Sequence, residues 1–453
     1  MPINPFLLAG RTIPAAFVAG LACAACTTAS AAPYVPGEVI VGSAPASVAN
    51  VAADVTSRSA IRAKATPAPS PDERVLALPR GMSVPQAIAW LRHQPGVTYA
   101  VPDYIARAAG AFYPDDRGRS HRVRGWERLQ WNFLSPAGVN APEAWANLIA
   151  RHHPGGRGVT VAILDTGVAY RNWRRFHKSP DFAGTRFVAP YDFVAHNRLA
   201  LDREGHGTFV AGTVAEATNN RIGVTGLAYG ASLMPVRILA ADGTGDAATI
   251  SRGIRYAASH GARVINLSLE FSLDVGASDI PGIISAVRYA HSRGALVVAS
   301  AGNEGVAQVA YPARDPMVVS VGATTIDRCL ANYSNQGSRL DLVAPGGDDD
   351  ANLSSDPHCH PYRNLPDIHQ MTFFDPTHPR RFGLPNGWFG TSMSAPHVSA
   401  TAALVIASGI LGSRPSPDRV LKRLKDTAQP LGGSKPNANY GYGLVDAGAA
   451  TRG

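Results

Sequence analysis

Six continuous apolar runs recur through the last two thirds of this 453-residue chain, and they constrain its fold more than any other feature. Stretches with helical patterning lie between several of them and end at glycine. The runs cover residues 158–164, 232–239, 262–269, 294–300, 317–323 and 340–345. Unalternated apolar strands joined through helices are typical of a parallel sheet covered on both faces. The sequence therefore predicts an α/β domain whose functional site lies at the carboxyl ends of the strands.

Four polar residues stand at the places where this topology would gather a site. Asp165 ends the first run, and Asn303 lies in a glycine-bounded loop after the fourth. His206 and Ser392 each open a predicted helix. Each residue alone has an ordinary structural explanation as a cap, a turn former or a core histidine. Together they supply what acyl transfer needs: a nucleophile, a base, a carboxylate that orients the base, and an oxyanion donor.

Four motifs around these residues resemble, in the same order, the sequence blocks of the subtilisin-like serine proteases, over about residues 130–450. They are LDTGV (164–168), GHGTFVAG (205–212), SAGNEG (300–305) and GTSMSAPHV (390–398). The resemblance implies that Asp165 orients His206, which removes the proton from Ser392 and later protonates the leaving amine. It also implies that the Asn303 side chain and the Ser392 N–H bind the oxyanion, and that Pro396 falls early enough in its helix to be tolerated.

The resemblance further implies two backbone segments that bind the substrate as added β-strands. They comprise Gly243, Thr244 and Gly245, and Ser268, Leu269 and Glu270. The family usually has glycine where this chain has Glu270. A carboxylate that faced the pocket would favour basic substrate residues, whereas one that pointed to solvent would change nothing, and we expect the second. Ala310 falls where the family often has a glycine at the pocket floor, which predicts a preference for small to medium apolar side chains.

A calcium site is implied by two shorter resemblances, to the family's calcium loop and to its aspartate ligand. TNNRIGV (218–224) and SPDF (179–182) carry them, with Asp181, Asn220, Ile222 and Val224 as the candidate ligands. Oxygen donors of this type suit Ca²⁺. Arg221 places a positive charge in the loop, and Asp181 lies farther from Asp165 than in the family. Calcium binding, in a structural role, therefore stays an open expectation.

The first third of the chain has the composition of a small α+β domain. GEVIVGSA and GVTYAVPDYIARA predict strands, and SVPQAIAWLRHQP between them predicts an amphipathic helix. The resemblance implies a propeptide at residues 32–110 that acts as chaperone and inhibitor; an independent accessory domain is the alternative. The polar stretch 111–130 predicts an exposed linker, with cleavage between Arg107 and Arg128 and a catalytic domain at 131–453.

The N-terminus has the layout of a secretory signal. Arg11 precedes an apolar run at 12–26 and a cleavage box at 29–31, which predicts a signal peptide over residues 1–31. The run is too short for a membrane span, which needs roughly twenty residues, and a lipid anchor on Cys23 or Cys26 lacks the usual leucine. We expect an exported protein, extracellular or periplasmic, with no membrane attachment after signal removal.

Signal removal would leave two cysteines, Cys329 and Cys359. In an oxidising compartment they predict one disulfide, with two separate thiols as the alternative. His358 and His360 flank the second cysteine, but no further ligand pair has a usable spacing, so zinc is not expected.

The excess of 42 basic over 33 acidic residues is scattered along the chain, so we expect no nucleic-acid partner. Residues 347–388 form an insertion longer than the family's connection and carry Cys359. The G-x-S-x-G elbow of esterases and lipases is missing around Ser392. We therefore expect a monomeric, secreted serine endopeptidase that acts on proteins and peptides; a catalytically silent homologue that binds them is the alternative.

Overall fold

A computed structural model describes residues 34–43, 61–63, 73–104, 111–120, 122–353 and 358–453. The predicted signal peptide lies outside these residues, as does Arg107 at the start of the predicted processing region. The chain divides into two compact units, residues 1–108 and 109–453. No helix in the described part of the chain combines the length and apolar character that a membrane span needs.

The N-terminal unit packs one helix on a four-stranded antiparallel sheet with strand order β2-β3-β1-β4. The elements are β1 (Tyr34–Ser43), β2 (Arg62–Ala63), β3 (Glu73–Ala77), α1 (Val84–Leu91) and β4 (Val97–Tyr104). Ser83 and Gln86 form a capping box that starts α1. Val84, Ala87 and Leu91 of the helix are buried against the sheet in a small core. The prediction of a small α+β domain is confirmed.

The C-terminal unit is built on a parallel sheet with strand order β12-β11-β10-β9-β5-β8-β6, and β7 also pairs with β8. The strands are β5 (Thr160–Asp165), β6 (Arg186–Phe187), β7 (Tyr191–Asp192), β8 (Ser232–Arg237), β9 (Val264–Leu267), β10 (Leu296–Ser300), β11 (Val318–Thr324) and β12 (Leu342–Pro345). Each of the six apolar runs coincides with one of the longer strands of this sheet, to within one residue at the carboxyl end of β5 and β11. The predicted parallel α/β sheet is confirmed.

Helices cover both faces of this sheet. Along β5, Val161 and Ile163 belong to one hydrophobic cluster, whereas Ala162 and Leu164 belong to the other. The first cluster includes side chains of α2 (Ala141–Ala150), α3 (His206–Ala215), α6 (Thr391–Ser408), α7 (Pro417–Thr427) and α8 (Ala447–Thr451). The second includes side chains of α4 (Ala247–Ser259) and α5 (Pro281–Ser292). Because both faces are buried, the strands can be apolar throughout, which explains the missing alternation.

Four single turns of 3-10 helix connect these elements in the described chain. They span Gly125–Arg128, Trp131–Phe133, Pro154–Gly156 and Pro180–Phe182. The insertion contributes an antiparallel pair, β13 (Thr372–Phe373) with β14 (Phe382–Gly383). A disulfide joins Cys329 to Cys359, with a Cα–Cα distance of 5.7 Å. Of the two alternatives for these cysteines, the structure has the disulfide, and bonded sulfurs offer no thiolate to zinc.

The prediction of an exposed linker at 111–130 is wrong for its described residues. Trp126 is fully buried, and its Nε1 donates a hydrogen bond of 3.0 Å to the Pro114 carbonyl. Phe112 and Trp126 both pack against Trp145, with ring centroids 6.1 and 5.7 Å away. The polar composition of the segment predicted exposure, although two of its aromatic residues, Phe112 and Trp126, pack in the interior. This stretch is therefore part of the C-terminal unit.

Candidate active site

Asp165 and His206 are brought together by the end of β5 and the start of α3. Nδ1 of His206 lies 2.8 Å from Oδ1 of Asp165. The Asp165 side chain is completely buried, whereas the imidazole is 21% exposed. Burial alone would lower the pKa of His206, but the charge and hydrogen bond of Asp165 outweigh it and raise this pKa from 6.5 to about 9. The pair is therefore a base whose protonated form is stabilised.

A buried network fixes α3 against the end of β5. Oδ1 of Asp202 accepts hydrogen bonds from the Thr166 hydroxyl and from the Gly205 N–H, both at 2.9 Å. The Thr166 hydroxyl in turn accepts a bond of 3.0 Å from the Gly207 N–H. A Cβ atom on Gly207 would lie 2.1 Å from the Gly167 carbonyl oxygen, so only glycine allows this approach. The glycines around His206 thus let the two catalytic segments meet.

Ser392 is the second residue of α6, and Ser268 after β9 holds its backbone. Pro396 is the sixth residue of this helix, beyond the first turn, which corrects the expectation that it falls early enough to be tolerated there. Lacking an N–H, it leaves the carbonyl four residues earlier, that of Ser392, without its helical donor. The Ser268 hydroxyl replaces that donor at 2.7 Å. The Ser392 hydroxyl donates to the Ser268 carbonyl at 3.3 Å.

A cavity of about 480 Å³ lies beside the candidate catalytic side chains. His206 and Ser392 both line it, and Asp165 lies behind the imidazole. The two predicted substrate segments also line it, namely Gly243, Thr244, Gly245, Ser268, Leu269 and Glu270. Ala310 is fully buried, donates its N–H to the Ala301 carbonyl at 2.8 Å and is outside this lining. The structure therefore brings the predicted substrate residues other than Ala310 to one cavity with His206 and Ser392. Asn303 is outside this lining but bonds to Glu270, which belongs to it.

Asn303 is held in one orientation by Thr391. Its Oδ1 accepts hydrogen bonds from the Thr391 N–H at 2.9 Å and from the Thr391 hydroxyl at 3.0 Å. The amide Nδ2 is thereby directed away from α6, and it donates to Oε1 of Glu270 at 3.3 Å. The expectation that Glu270 points to solvent is wrong, because this half-buried side chain lines the cavity. Burial, followed by the charge of Glu304, raises the pKa of Glu270 to about 7.

Glu204 is a cavity residue that the sequence analysis missed. Its Oε2 accepts a hydrogen bond of 2.7 Å from the His206 backbone N–H, and its side chain lines the cavity. Burial raises the pKa of Glu204, and its charge adds to the rise in the pKa of His206. The only available signal was its position two residues before His206, and acidic residues are common at such positions. Thr391, which orients Asn303, carried no separate signal either.

The candidate calcium residues gather around the buried Asp181. Oδ1 of Asp181 accepts a hydrogen bond from Asn220 Nδ2 at 3.0 Å, and Oδ2 accepts one from the Val224 N–H at 2.9 Å. The Ile222 N–H donates to Asn220 Oδ1 at 2.7 Å. Arg221 points out of the loop: its side chain is 68% exposed and pairs with Asp115. The positive charge of Arg221, which was the argument against a cation site, therefore lies outside the candidate calcium loop.

Two further acidic residues adjoin this loop. Asp116 is buried and accepts the Asn219 and Asn220 N–H groups at 2.8 and 2.9 Å. Glu216 is also buried; its Oε1 accepts the Met371 N–H at 2.8 Å, and its Oε2 has no hydrogen-bond partner among the described residues. Burial, and then the charge of the neighbouring carboxylates, raises the pKa of Asp181 to about 8 and that of Glu216 well above its ordinary value.

One oxygen of this group, Oε2 of Glu216, is the feature that favours a calcium ion, because both oxygens of Asp116 and of Asp181 already accept hydrogen bonds. The three carboxylates are not among the described groups of acidic, histidine and cysteine side chains whose ligand atoms all lie within 4.8 Å of one another. A buried carboxylate oxygen without a donor is costly unless it is protonated or faces a cation. Among the described residues, no ion pair reaches Asp116, Asp181 or Glu216. Carboxylate, amide and carbonyl oxygens are the ligands that Ca²⁺ takes. Sequence analysis found Asp181 but missed the other two, which lie in other segments.

Comparisons with known proteins agree with this geometry. Residues 156–443 match the model of the subtilase family, and residues 22–103 match the fervidolysin N-terminal prodomain. Subtilisin BL from Lederbergia lenta is 37% identical over 305 residues, which is 67% of this chain and 95% of that protein. A thermophilic serine proteinase from a Bacillus species is 30% identical over 79% of this chain and 74% of its own length. A solved protease structure from Pseudoalteromonas arctica has a TM-score of 0.60 and 29% identity, covering 75% of this chain and 99% of that one.

Proposed function

The chain belongs to the subtilase family of serine proteases, and from that premise we propose that it is a secreted, self-processing endopeptidase that cleaves proteins with Asp165, His206 and Ser392. The observation that carries the proposal is the 2.8 Å contact between the buried Asp165 carboxylate and His206, at a cavity that Ser392 also lines. A carboxylate–imidazole pair beside a serine hydroxyl is the arrangement that activates such a nucleophile.

In the first half of the reaction, Ser392 Oγ attacks the substrate carbonyl carbon while Nε2 of His206 takes its proton. Asp165 keeps Nδ1 protonated and stabilises the imidazolium. The tetrahedral oxyanion accepts hydrogen bonds from the Ser392 N–H and from Asn303 Nδ2. The C–N bond then breaks, and His206 transfers its proton to the departing amine. In the second half, water attacks the acyl-enzyme by the same proton transfers and releases the carboxylate product.

We propose that residues 32–110 are a propeptide that assists folding and inhibits the enzyme until it is cut. The prodomain match over residues 22–103 supports this role. Phe112 and Trp126 pack in the C-terminal unit, so a cut beyond them would remove part of its core. Within the predicted window of 107–128, the cut therefore falls before Phe112.

Export and calcium complete the proposal. The signal-like segment at 1–31 directs the protein out of the cytoplasm, and the Cys329–Cys359 disulfide suits an oxidising compartment. A calcium ion would be held by Asp181, Asn220 and the backbone of Ile222 and Val224, with Asp116 and Glu216 nearby. The ion would supply positive charge that stabilises the loop, and it would take no part in peptide hydrolysis.

The decisive experiment compares residues 32–453 with the same protein carrying Ser392→Ala. Intact mass follows loss of the N-terminal unit, and casein hydrolysis follows activity. We expect the first protein to shorten itself and to cut casein, and the variant to do neither. If both proteins kept their full mass and neither cut casein, the catalytic proposal would fail, and the alternative of a silent, peptide-binding homologue would replace it.

A further inference from the structure

The carboxylates of Glu270 and Glu304 lie close together beside Gly302. Glu270 lines the catalytic cavity together with Ser392 and His206. Its Oε2 lies 2.6 Å from the position that a Cβ atom would take on Gly302, and Oε2 of Glu304 lies 2.9 Å from the same position. Gly302 also has a φ of +114°, a conformation that side chains disfavour. Both acidic groups therefore lie beside one glycine, and Glu270 is the one of the two that lines the cavity.

The described residues leave Glu270 without a cationic partner. Its Oε1 accepts the 3.3 Å hydrogen bond from Asn303 Nδ2, and its Oε2 is buried with no hydrogen-bond partner in the described chain. Oε2 of Glu304 accepts a bond of 2.5 Å from Asn335 Nδ2. None of the ion pairs among the described residues involves either glutamate. A half-buried carboxylate beside a second one is stabilised most by a cation.

This charge also bears on the proposed reaction. Asn303 Nδ2 is the donor that would bind the oxyanion, and in this structure one of its two N–H groups is bonded to the Glu270 carboxylate. Negative charge so close to a developing oxyanion raises the energy of the transition state. A positive charge on the substrate would remove both obstacles, because it would neutralise Glu270 and draw it away from the amide.

We propose that Glu270, assisted by Glu304, is the specificity-determining residue of this protease and receives a lysine or arginine side chain at P1, the residue on the acyl side of the cleaved bond. This inference rests on the proposed function. When the substrate's ammonium or guanidinium group pairs with Glu270, both N–H groups of Asn303 Nδ2 become available to the oxyanion. A basic substrate thereby completes the oxyanion site. The proposed preference for lysine or arginine replaces the preference for small to medium apolar side chains that the sequence predicted.

The test uses the matured enzyme and peptide p-nitroanilides that differ only at P1, with lysine or with norleucine, which has a similar length but no charge. We expect the wild type to prefer lysine. Glu270→Gln should lower kcat/KM for lysine roughly ten- to 100-fold, the range for losing a hydrogen bond to a charged group. It should leave kcat/KM for norleucine equal or higher, because the amide side chain carries no charge against the oxyanion. Glu304→Gln should also lower kcat/KM for the lysine substrate, but by a smaller factor, because Glu304 is exposed.

Asp418→Asn is the matched control, since it removes an exposed carboxylate that pairs with His291 and is outside the cavity lining. It should leave both rates unchanged. The inference is overturned if the wild type cleaves norleucine as fast as lysine, a comparison that needs no variant to fold. Equal losses on both substrates in Glu270→Gln would overturn it too, because they indicate a structural role. Failure of the proposed function looks different, since the wild type would then cleave neither substrate.

Discussion

The side-chain oxygen of Asn303 accepts two hydrogen bonds from Thr391, one from its backbone N–H and one from its hydroxyl. Thr391 immediately precedes Ser392, so one turn of helix positions both the amide proposed to bind the oxyanion and the proposed nucleophile. An amide whose oxygen is fully engaged can present only its N–H₂ group to the cavity. This preorganisation removes the need to reorient the donor during the reaction.

Replacing Asn303 with leucine should therefore lower kcat by about 10²–10³, the usual cost of losing one oxyanion donor. KM should change little, because this bond strengthens in the transition state and contributes little to substrate binding. Steady-state kinetics on a p-nitroanilide with lysine at P1 measures both constants. Thr391→Val should cause a smaller loss, and Thr391→Ser, which keeps the hydroxyl, should cause almost none. An unchanged kcat in Asn303→Leu would remove Asn303 from the oxyanion site.

The pH profile of kcat/KM should report on His206. The imidazole must be neutral to act as base, so activity should rise as the pH increases through its pKa. Burial lowers that pKa, but Asp165, Glu204 and Asp202 raise it to about 9, so the acid limb should lie above pH 6.5. In Asp165→Asn the largest raising effect is lost, and the limb should move to lower pH while kcat falls about 10⁴-fold. If the acid limb stayed at the same pH in Asp165→Asn, Asp165 would not be the group that raises the pKa of His206.

Removing calcium should lower thermal stability while leaving the chemistry intact. An ion at 100 times its dissociation constant contributes about 2.7 kcal/mol to the free energy of unfolding. Tm should therefore fall on adding a chelator and recover with calcium, whereas initial rates at low temperature should barely change. Asp181→Asn should abolish the calcium-dependent part of Tm. Asp426→Asn is the matched control because it removes an exposed carboxylate that pairs with Lys422, away from this loop. A Tm indifferent to chelator in the wild type would exclude a stabilising calcium site.

The disulfide should contribute stability of its own. It closes a loop with a sequence separation of 30 residues, and such bonds typically add about 2–4 kcal/mol to the free energy of unfolding. The double variant Cys329→Ala/Cys359→Ala should unfold at lower denaturant concentration than the wild type. A reducing agent should destabilise the wild type and have no further effect on the variant. Equal midpoints for the two proteins would show that the bond is dispensable.

The N-terminus of the mature enzyme should begin before Phe112. Trp126 fills a buried site between Pro114 and Trp145, and losing a buried tryptophan typically costs about 3–5 kcal/mol. An enzyme trimmed past Trp126 would therefore be markedly less stable than one that keeps it. N-terminal sequencing of the processed protein measures the cut directly, and a first residue beyond Phe112 would refute this position.

Local pattern was enough to predict the fold and to identify the candidate catalytic residues. An uninterrupted apolar run such as 158–164 suits a strand buried on both faces, and the residue that ends it must then lie at the functional edge of the sheet. The short motifs around Asp165, His206 and Ser392 carry their glycines and small residues within a few positions of the reacting group. These signals are contained in neighbouring residues, so they could be recognised without coordinates.

Tertiary structure alone decided the direction of Glu270, the burial of Trp126, and the meeting of Asp116 with the loop at Asn220. Asp116 and Asn220 are 104 residues apart, and Glu270 contacts an amide 33 residues away. A glutamate has the same local pattern whether it faces water or a cavity. Its environment depends on which segments the fold brings beside it, and burial and electrostatic energies are properties of that environment. The sequence by itself determined which reactive side chains are present. The packing of distant segments determined which charged groups lie beside them.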